Sequence, residues 1–110
     1  MTMGKWSTYR KRGSAGRAPA LGPPPAPTLR VTGGVVLQDA TGLDDAGGLV
    51  RLEQSEDGIS EWETWGSQPW DNPTEWGQQE EWEGSFVRAF ETGNGIVYAG
   101  ESAPSNILEL

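Results

Sequence analysis

"SFVRAFETGNGIVYAGES", residues 85–102, is the stretch that decides the fold class. Apolar and polar side chains alternate on both sides of Gly93-Asn94-Gly95, and alternation across a glycine-rich turn predicts two antiparallel β-strands. The first run alternates between two faces, and the sequence alone leaves open which of them is buried. The stretch therefore predicts a β-hairpin near the end of the chain.

Similar short runs occur earlier, separated by turns rich in Gly and Asp. The run "TLRV" (28–31) precedes "VVLQ" (35–38) across Gly33-Gly34, "LVRLEQS" (49–55) follows "DDAGG", and "NILEL" closes the chain. Asp57-Gly58 is typical of a type I′ or bulged turn. Six or seven short strands with almost no helical periodicity predict an all-β fold, a small antiparallel β-sandwich.

The charge of the chain is divided unevenly along its length. Residues 1–27 carry five bases and no acid, whereas residues 28–110 carry three bases and 16 acids. The first part is rich in Gly, Ala and Pro, and its run of prolines favours extended polyproline II. We expect an extended basic N-terminal arm over 1–27 and an acidic sandwich domain over 28–110.

Aromatic residues beside the positive charges favour an arm that becomes ordered on a partner over a purely solubilising tail, because aromatic rings bury the most area on docking. Nucleic acid is an alternative partner for such an arm, but another protein or another copy of the chain is favoured. The predicted contact residues are Trp6, Tyr9, Arg10, Lys11, Arg12 and Arg17.

Composition excludes several classes of function. The 110 residues include no Cys and no His, which removes disulfides, thiol nucleophiles, imidazole bases and the commonest metal ligands. No apolar run approaches the roughly 20 residues of a membrane span. The acidic segment "DATGLDD" (39–45) is better explained as a polar turn than as a calcium loop. We expect no enzyme activity, no cofactor, no metal site and no membrane partner.

Five of the six tryptophans lie within 21 residues that also hold many acids. Their spacing matches neither one helix nor one strand face, and Pro69, Pro73 and Gly77 favour turns in this segment. Some of the indoles are expected to fill the core. The others are candidates for a ligand or subunit interface, by stacking on sugars or on arginines. The five residues are Trp62, Trp65, Trp70, Trp76 and Trp82.

Three segments resemble the fibronectin type III family. They are "APTLRV", "LVRLEQSEDGISEW" and "FVRAFETGNG…GESAPSNILEL", which cover roughly 28–58 and 85–110. The Arg-Ala pair of the penultimate strand and Ser-x-Pro-Ser-Asn before the last strand match the pattern of the family, although Phe86 stands where Tyr is typical. The resemblance implies an immunoglobulin-like sandwich that acts as a binding or spacing module.

The order of a short basic arm, a proline spacer and one acidic domain resembles small virion proteins of tailed bacteriophages. This resemblance implies a structural protein of the particle, present in many copies and made in the host cytoplasm. The arm would fasten to the capsid or tail while the domain decorates the outside. The alternative is a module that binds carbohydrate or the host surface through its tryptophan-rich loops.

Overall fold

The computed structural model describes residues 21–40 and 45–110. These residues form seven strands in two antiparallel sheets, together with a short 3-10 helix, Gln79–Trp82, and no α-helix. The strands are β1 (Thr28–Thr32), β2 (Val35–Asp39), β3 (Leu49–Ser55), β4 (Glu63–Pro69), β5 (Thr74–Gln78), β6 (Phe86–Thr92) and β7 (Leu108–Glu109). The predicted all-β class is confirmed.

The strands divide into a three-stranded sheet of order β1-β2-β5 and a four-stranded sheet of order β4-β3-β6-β7. Alternate residues of both sheets face a common interior, as in a β-sandwich. The shared core comprises Leu29, Val36, Val50, Leu52, Trp76, Trp82, Val87 and Ala89. Alternation along β6 thus points Val87 and Ala89 inward and leaves Arg88 on the outer face.

Amide side chains join the two sheets along both open sides of the sandwich. Gln68 on β4 donates a hydrogen bond of 2.9 Å to the carbonyl of Glu75 on β5. On the other side, Asn106 accepts a hydrogen bond from the N–H of Leu29 and donates one to its carbonyl, at 2.8 and 3.0 Å. Both backbone groups of Leu29 at the edge of β1 are therefore satisfied without an eighth strand.

The turn at Gly33-Gly34 is as tight as the sequence predicts. Thr32 pairs with Val35, and both glycines have positive φ, 59° and 78°, which a type I′ turn requires. The turn after β3 is wider than predicted, because it runs from residue 56 to 62. Within it the carboxylate of Asp57 accepts hydrogen bonds from the N–H groups of Ile59 and Ser60, both at 2.9 Å.

The prediction of a strand over residues 96–102 is wrong. This segment forms a loop that meets β6 only at its end, through an isolated bridge between Thr92 and Glu101 and hydrogen bonds between Ser102 and Glu91. The side-chain oxygen of Asn94 accepts the N–H groups of Ile96 and Val97, at 2.7 and 2.9 Å. These local bonds take the backbone donors that a hairpin would use.

The tryptophan segment, predicted to be turns, instead contributes β4 and β5. Both are edge strands, where a proline at the end is tolerated because no neighbouring strand needs its N–H. Pro69 is the last residue of β4, and Pro73, in a cis peptide with Asn72, lies between the two strands. The predicted turn is thus confined to residues 70–73.

Residues 21–27 lie against the domain although the sequence assigns them to the arm. The carbonyl of Gly22 accepts a hydrogen bond of 2.9 Å from the N–H of Ala99, and Pro24 and Pro27 are buried. Within the described ranges no helix is long and apolar enough to cross a bilayer.

Candidate interaction site

Two β-bulges bring two tryptophans together. Leu52 pairs with Gly66 and Glu53 with Thr64, so Trp65 is the extra residue in β4. Val36 pairs with Gly77 and Leu37 with Glu75, which makes Trp76 the extra residue in β5. A bulge re-aims the side chain of its extra residue. Here the two rings meet edge to face, with centroids 6.3 Å apart.

A third indole completes this group, which we call the bulge cluster (Trp65, Trp76 and Trp82). The ring of Trp82 lies 4.8 Å from that of Trp65 and is 1% exposed. Trp76 is buried as well, and its indole N–H donates to the side-chain oxygen of Gln38 at 2.8 Å. Trp65 remains 40% exposed. The cluster is therefore core on its inner side and presents one indole to solvent.

A groove of about 590 Å³ lies beside the bulge cluster, between the ends of β4 and β5. Trp70 and Trp76 line it together with the carboxylates of Asp71 and Glu75, and no base lines it. An indole flanked by carboxylates can bind a ligand that has a flat face to stack on the ring and hydroxyl or guanidinium groups to donate to the carboxylates.

Trp62 lies apart from the other four tryptophans of the segment. Its ring stacks on the guanidinium of Arg88, 4.1 Å from the ring centroid, on the outer face of the four-stranded sheet. Phe90 lies between Arg88 and Arg51, with guanidinium carbons 5.3 and 4.4 Å from its centroid. These four residues form an alternating ladder of aromatic rings and guanidinium groups.

Glu53 holds the ladder together by pairing with both arginines. Its carboxylate accepts a 2.7 Å bond from Nε of Arg88 and another bond from Arg51, which also pairs with Glu101 at 2.9 Å. Burial alone would raise the pKa of Glu53, but the hydrogen bonds and charges of Arg51 and Arg88 together lower it. The ladder is therefore an ionised, self-satisfied surface.

Every arginine in the described ranges is paired with an acid. Besides the two ladder arginines, Arg30 donates to Asp39 at 2.6 Å. The surface charges that remain in this part of the chain are carboxylates. Four of them, Glu56, Asp57, Glu61 and Glu63, line an acidic cleft of about 460 Å³ at the β3–β4 turn.

The acidic cleft does not resemble a catalytic carboxylate pair. Hydrogen bonds from the backbone of Ser60 and Ile59 and from the side chains of Ser55 and Ser60 hold the pKa of Asp57 well below its usual range. A general acid needs the opposite shift. Within residues 21–40 and 45–110 no group of three or more acids is placed to hold a metal ion.

The structure thus separates the five predicted tryptophans into a cluster of three, one groove residue and one ladder residue. The predicted arm contacts, Trp6, Tyr9, Arg10, Lys11, Arg12 and Arg17, lie outside the described residues. Sequence reasoning missed the bulges and the ladder. The signals were the repeated Trp-Gly at 65–66 and 76–77 and the charges that alternate on β3 and β6.

Comparison of the chain with protein-family models, with curated proteins and with solved structures finds no match.

Proposed function

We propose that this protein is a non-enzymatic structural protein of a tailed-bacteriophage particle. Its basic arm fastens it to the capsid or tail, and its sandwich domain, of fibronectin type III type, decorates the outside. It acts in many copies alongside other virion proteins, and nucleic acid is not its partner.

The division of charge is the observation that carries this proposal. The described domain has no arginine without an acidic partner and leaves unpaired acids on its surface, four of them around a cleft, whereas the arm has five bases and no acid. In such a protein the basic arm of one copy is attracted to the acidic domain of another copy. This supports docking of the arm on neighbouring copies or on an acidic shell beneath.

The position of the arm supports anchoring at one end. Gly22 is bonded to the loop after β6 at Ala99. The acidic cleft lies at the other end of that strand, because Phe86 pairs with Ser55 whereas Thr92 pairs with Leu49. An arm held by a partner would therefore leave the acidic end facing outward.

The strand arrangement supports the family assignment. Seven strands divided three and four, with β1-β2-β5 facing β4-β3-β6-β7, have the number and pairing expected of a fibronectin type III sandwich. The two serines of "SAPSN" accept hydrogen bonds from backbone N–H groups at the outer edge of β6. This is expected if the motif leads into the last strand of the sandwich. Modules of this kind usually bind or space rather than catalyse.

Particle binding by arm variants tests the proposal. Particles lacking the protein are mixed with the full chain, with a chain lacking residues 1–17, and with a chain carrying Arg10→Gln, Lys11→Gln and Arg12→Gln. We expect bound copies to fall at least tenfold for both variants, roughly what the loss of three partly desolvated ion pairs implies. Unchanged urea midpoints serve as the control. Normal occupancy without the arm would refute anchoring.

A second candidate function is carbohydrate binding in the groove between β4 and β5. The specific observation in its favour is the half-buried indole of Trp70, flanked by Asp71 and Glu75. Saturable quenching of tryptophan fluorescence by a saccharide, retained without residues 1–17 and lost in Asp71→Asn, would favour this function over anchoring. Glu109→Gln, which replaces an exposed acid on β7 away from the groove, is the matched control.

A further inference from the structure

Two acids are buried at the end of the domain where β6 finishes. Asp45, just before β3, is 1% exposed, and Glu91 on β6 is 3% exposed. Oδ2 of Asp45 and Oε2 of Glu91 have no hydrogen-bond partner. The other oxygen of Asp45 accepts a long bond, 3.4 Å, from the N–H of Asn94. A buried carboxylate oxygen without a donor is costly and calls for a compensating group.

No described base can supply that compensation. Arg30 is held by Asp39, Arg51 by Glu53 and Glu101, and Arg88 by Glu53. The polar group that faces Glu91 from the turn after β4 is the indole N–H of Trp70, which is buried and completes no hydrogen bond. From the segment before β3 the facing group is Asp45, which is itself an acid.

A single proton relieves this site. When one of two coupled buried carboxyls is protonated, the two together carry one charge instead of two, and the new O–H is a donor where the site had none. The surroundings of Glu91 favour its protonated form. Burial is the main cause, and the charge of Asp45 is the second; together they raise the pKa of Glu91 to about 7, although the facing indole N–H of Trp70 acts in the opposite direction.

The pair lies where three backbone segments meet. Gly48 donates its N–H to the carbonyl of Asp45, and its own carbonyl accepts the N–H of Trp70, both at 2.9 Å. From the loop after β6, Asn94 donates its side-chain amide to the carbonyl of Ala46 at 3.0 Å. The same loop holds Gly22 through Ala99. Repulsion within the pair would push these segments apart.

We propose that Asp45 and Glu91 share one proton in the folded protein, and that loss of this proton loosens the end of the domain from which the arm emerges. This protonation does not depend on what the arm binds, so its test is separate from the test of the proposed function. Its chemistry is a reversible transfer of the shared proton to solvent.

The stability of the full chain between pH 5 and 8.5 tests the proposal. The absence of His leaves the α-amino group as the one other group that ordinarily titrates there. A pKa raised from 4.5 to about 7 means that the folded state holds a proton that the unfolded state has lost. Stability is therefore greatest below pH 4.5, falls as pH rises to about 7 and levels off above it, so the folding constant drops by roughly 75-fold between pH 5 and 8.5.

Three proteins are compared by urea unfolding followed by tryptophan fluorescence. Glu91→Gln is expected to flatten the dependence, because its amide is neutral at every pH, whereas Glu109→Gln, which replaces an exposed acid on β7, should keep it. Amide exchange at Gly93 and Gly95, corrected for the intrinsic effect of pH, should quicken with rising pH in the wild type alone.

Three outcomes would overturn the proposal. The first is a wild-type stability that does not change over this range, and the second is a slope that persists in Glu91→Gln. The third is a stabilisation of the wild type by calcium chloride at pH 8 that Glu91→Gln lacks, which would make a cation the occupant. Should Glu91→Gln fail to fold, a carboxyl carbon NMR titration of wild-type Glu91 decides, since a midpoint below 5 contradicts a shared proton.

Discussion

Gly93 and Gly95 lie two residues apart after β6, and a side chain would meet different surroundings at each. A Cβ on Gly93 would lie 2.4 Å from the backbone carbon and oxygen of Tyr98. A Cβ on Gly95 would meet nothing within 4 Å, although its φ of 83° strains any residue with a side chain. The first position is limited by space and the second by backbone conformation.

We therefore predict that Gly93→Ala destabilises the domain by about 3 kcal/mol or more, because backbone atoms must move. Gly95→Ala should cost about 1 kcal/mol, the usual penalty for a left-handed residue other than glycine. Urea unfolding of the two variants measures the difference. Equal losses would show that the loop after β6 adjusts freely.

At the same scale, the sequence could not say which tryptophans are buried. Trp65 and Trp76 are each the extra residue of a bulge, which re-aims a side chain in a way that the sequence pattern does not report. Trp82 is buried from a 3-10 helix whose four residues are too few to show a period. In contrast, Val87 and Ala89 follow strict alternation, and the sequence predicts that they share a face.

Among the elements, the segment before β7 is held to β6 by serine side chains. The hydroxyl oxygen of Ser105 accepts the N–H of Ala89 at 2.8 Å, and that of Ser102 accepts the N–H of Glu91 at 3.0 Å. Pro104, between them, has no N–H to offer a ladder. Side chains thus replace part of the strand pairing at this edge.

Replacing Ser105 with Ala should leave the buried N–H of Ala89 without an acceptor and cost about 1–3 kcal/mol. Ser67→Ala, at an exposed position of β4, is the control and should lie within about 0.5 kcal/mol of the wild type. Thermal melts of both variants give the comparison. A neutral Ser105→Ala would indicate that water reaches this edge.

The outer face of the four-stranded sheet gives a second prediction at this scale. Arg88→Lys keeps the charge beside Glu53 but loses the flat guanidinium that stacks on Trp62 and Phe90. We expect a loss of about 1 kcal/mol, and a larger loss for Arg88→Ala, which also leaves Glu53 with one partner fewer. If the lysine variant matches the wild type, stacking contributes nothing to stability.

The strands of this fold are only partly predictable from the sequence. The positions of β1, β2, β3 and β6 follow from alternation and glycine turns. The strand expected over 96–102 is absent, because Asn94 captures two backbone donors that no pattern of hydrophobicity reports. The edge strands β4 and β5 were hidden by prolines that a central strand would not tolerate.

For the molecule as a whole, the point where the arm meets the domain determines what a truncation does. Deletion of residues 1–20 should leave the urea midpoint unchanged. Deletion of residues 1–27 removes two buried prolines and the bond from Ala99 to Gly22, and should cost about 1–3 kcal/mol. Equal midpoints for the two truncated chains would mean that residues 21–27 contribute no stability.

Charge and composition predict a two-part chain, but they place the boundary at Pro27 because they count residues rather than contacts. Burial of Pro24 shows that part of the proline spacer packs on the domain. Proline loses little conformational entropy on folding, so the entropic cost of ordering this spacer on the domain is small.

The tilted pair Trp65 and Trp82, with ring centroids 4.8 Å apart, also has an optical consequence. Indoles this close couple their excited states, so the folded protein should show a paired positive and negative band in far-ultraviolet circular dichroism. Unfolding would abolish this couplet, and so would Trp65→Phe, which spares the buried ring. The molecule therefore carries a built-in chiroptical reporter of whether its two bulges are in place.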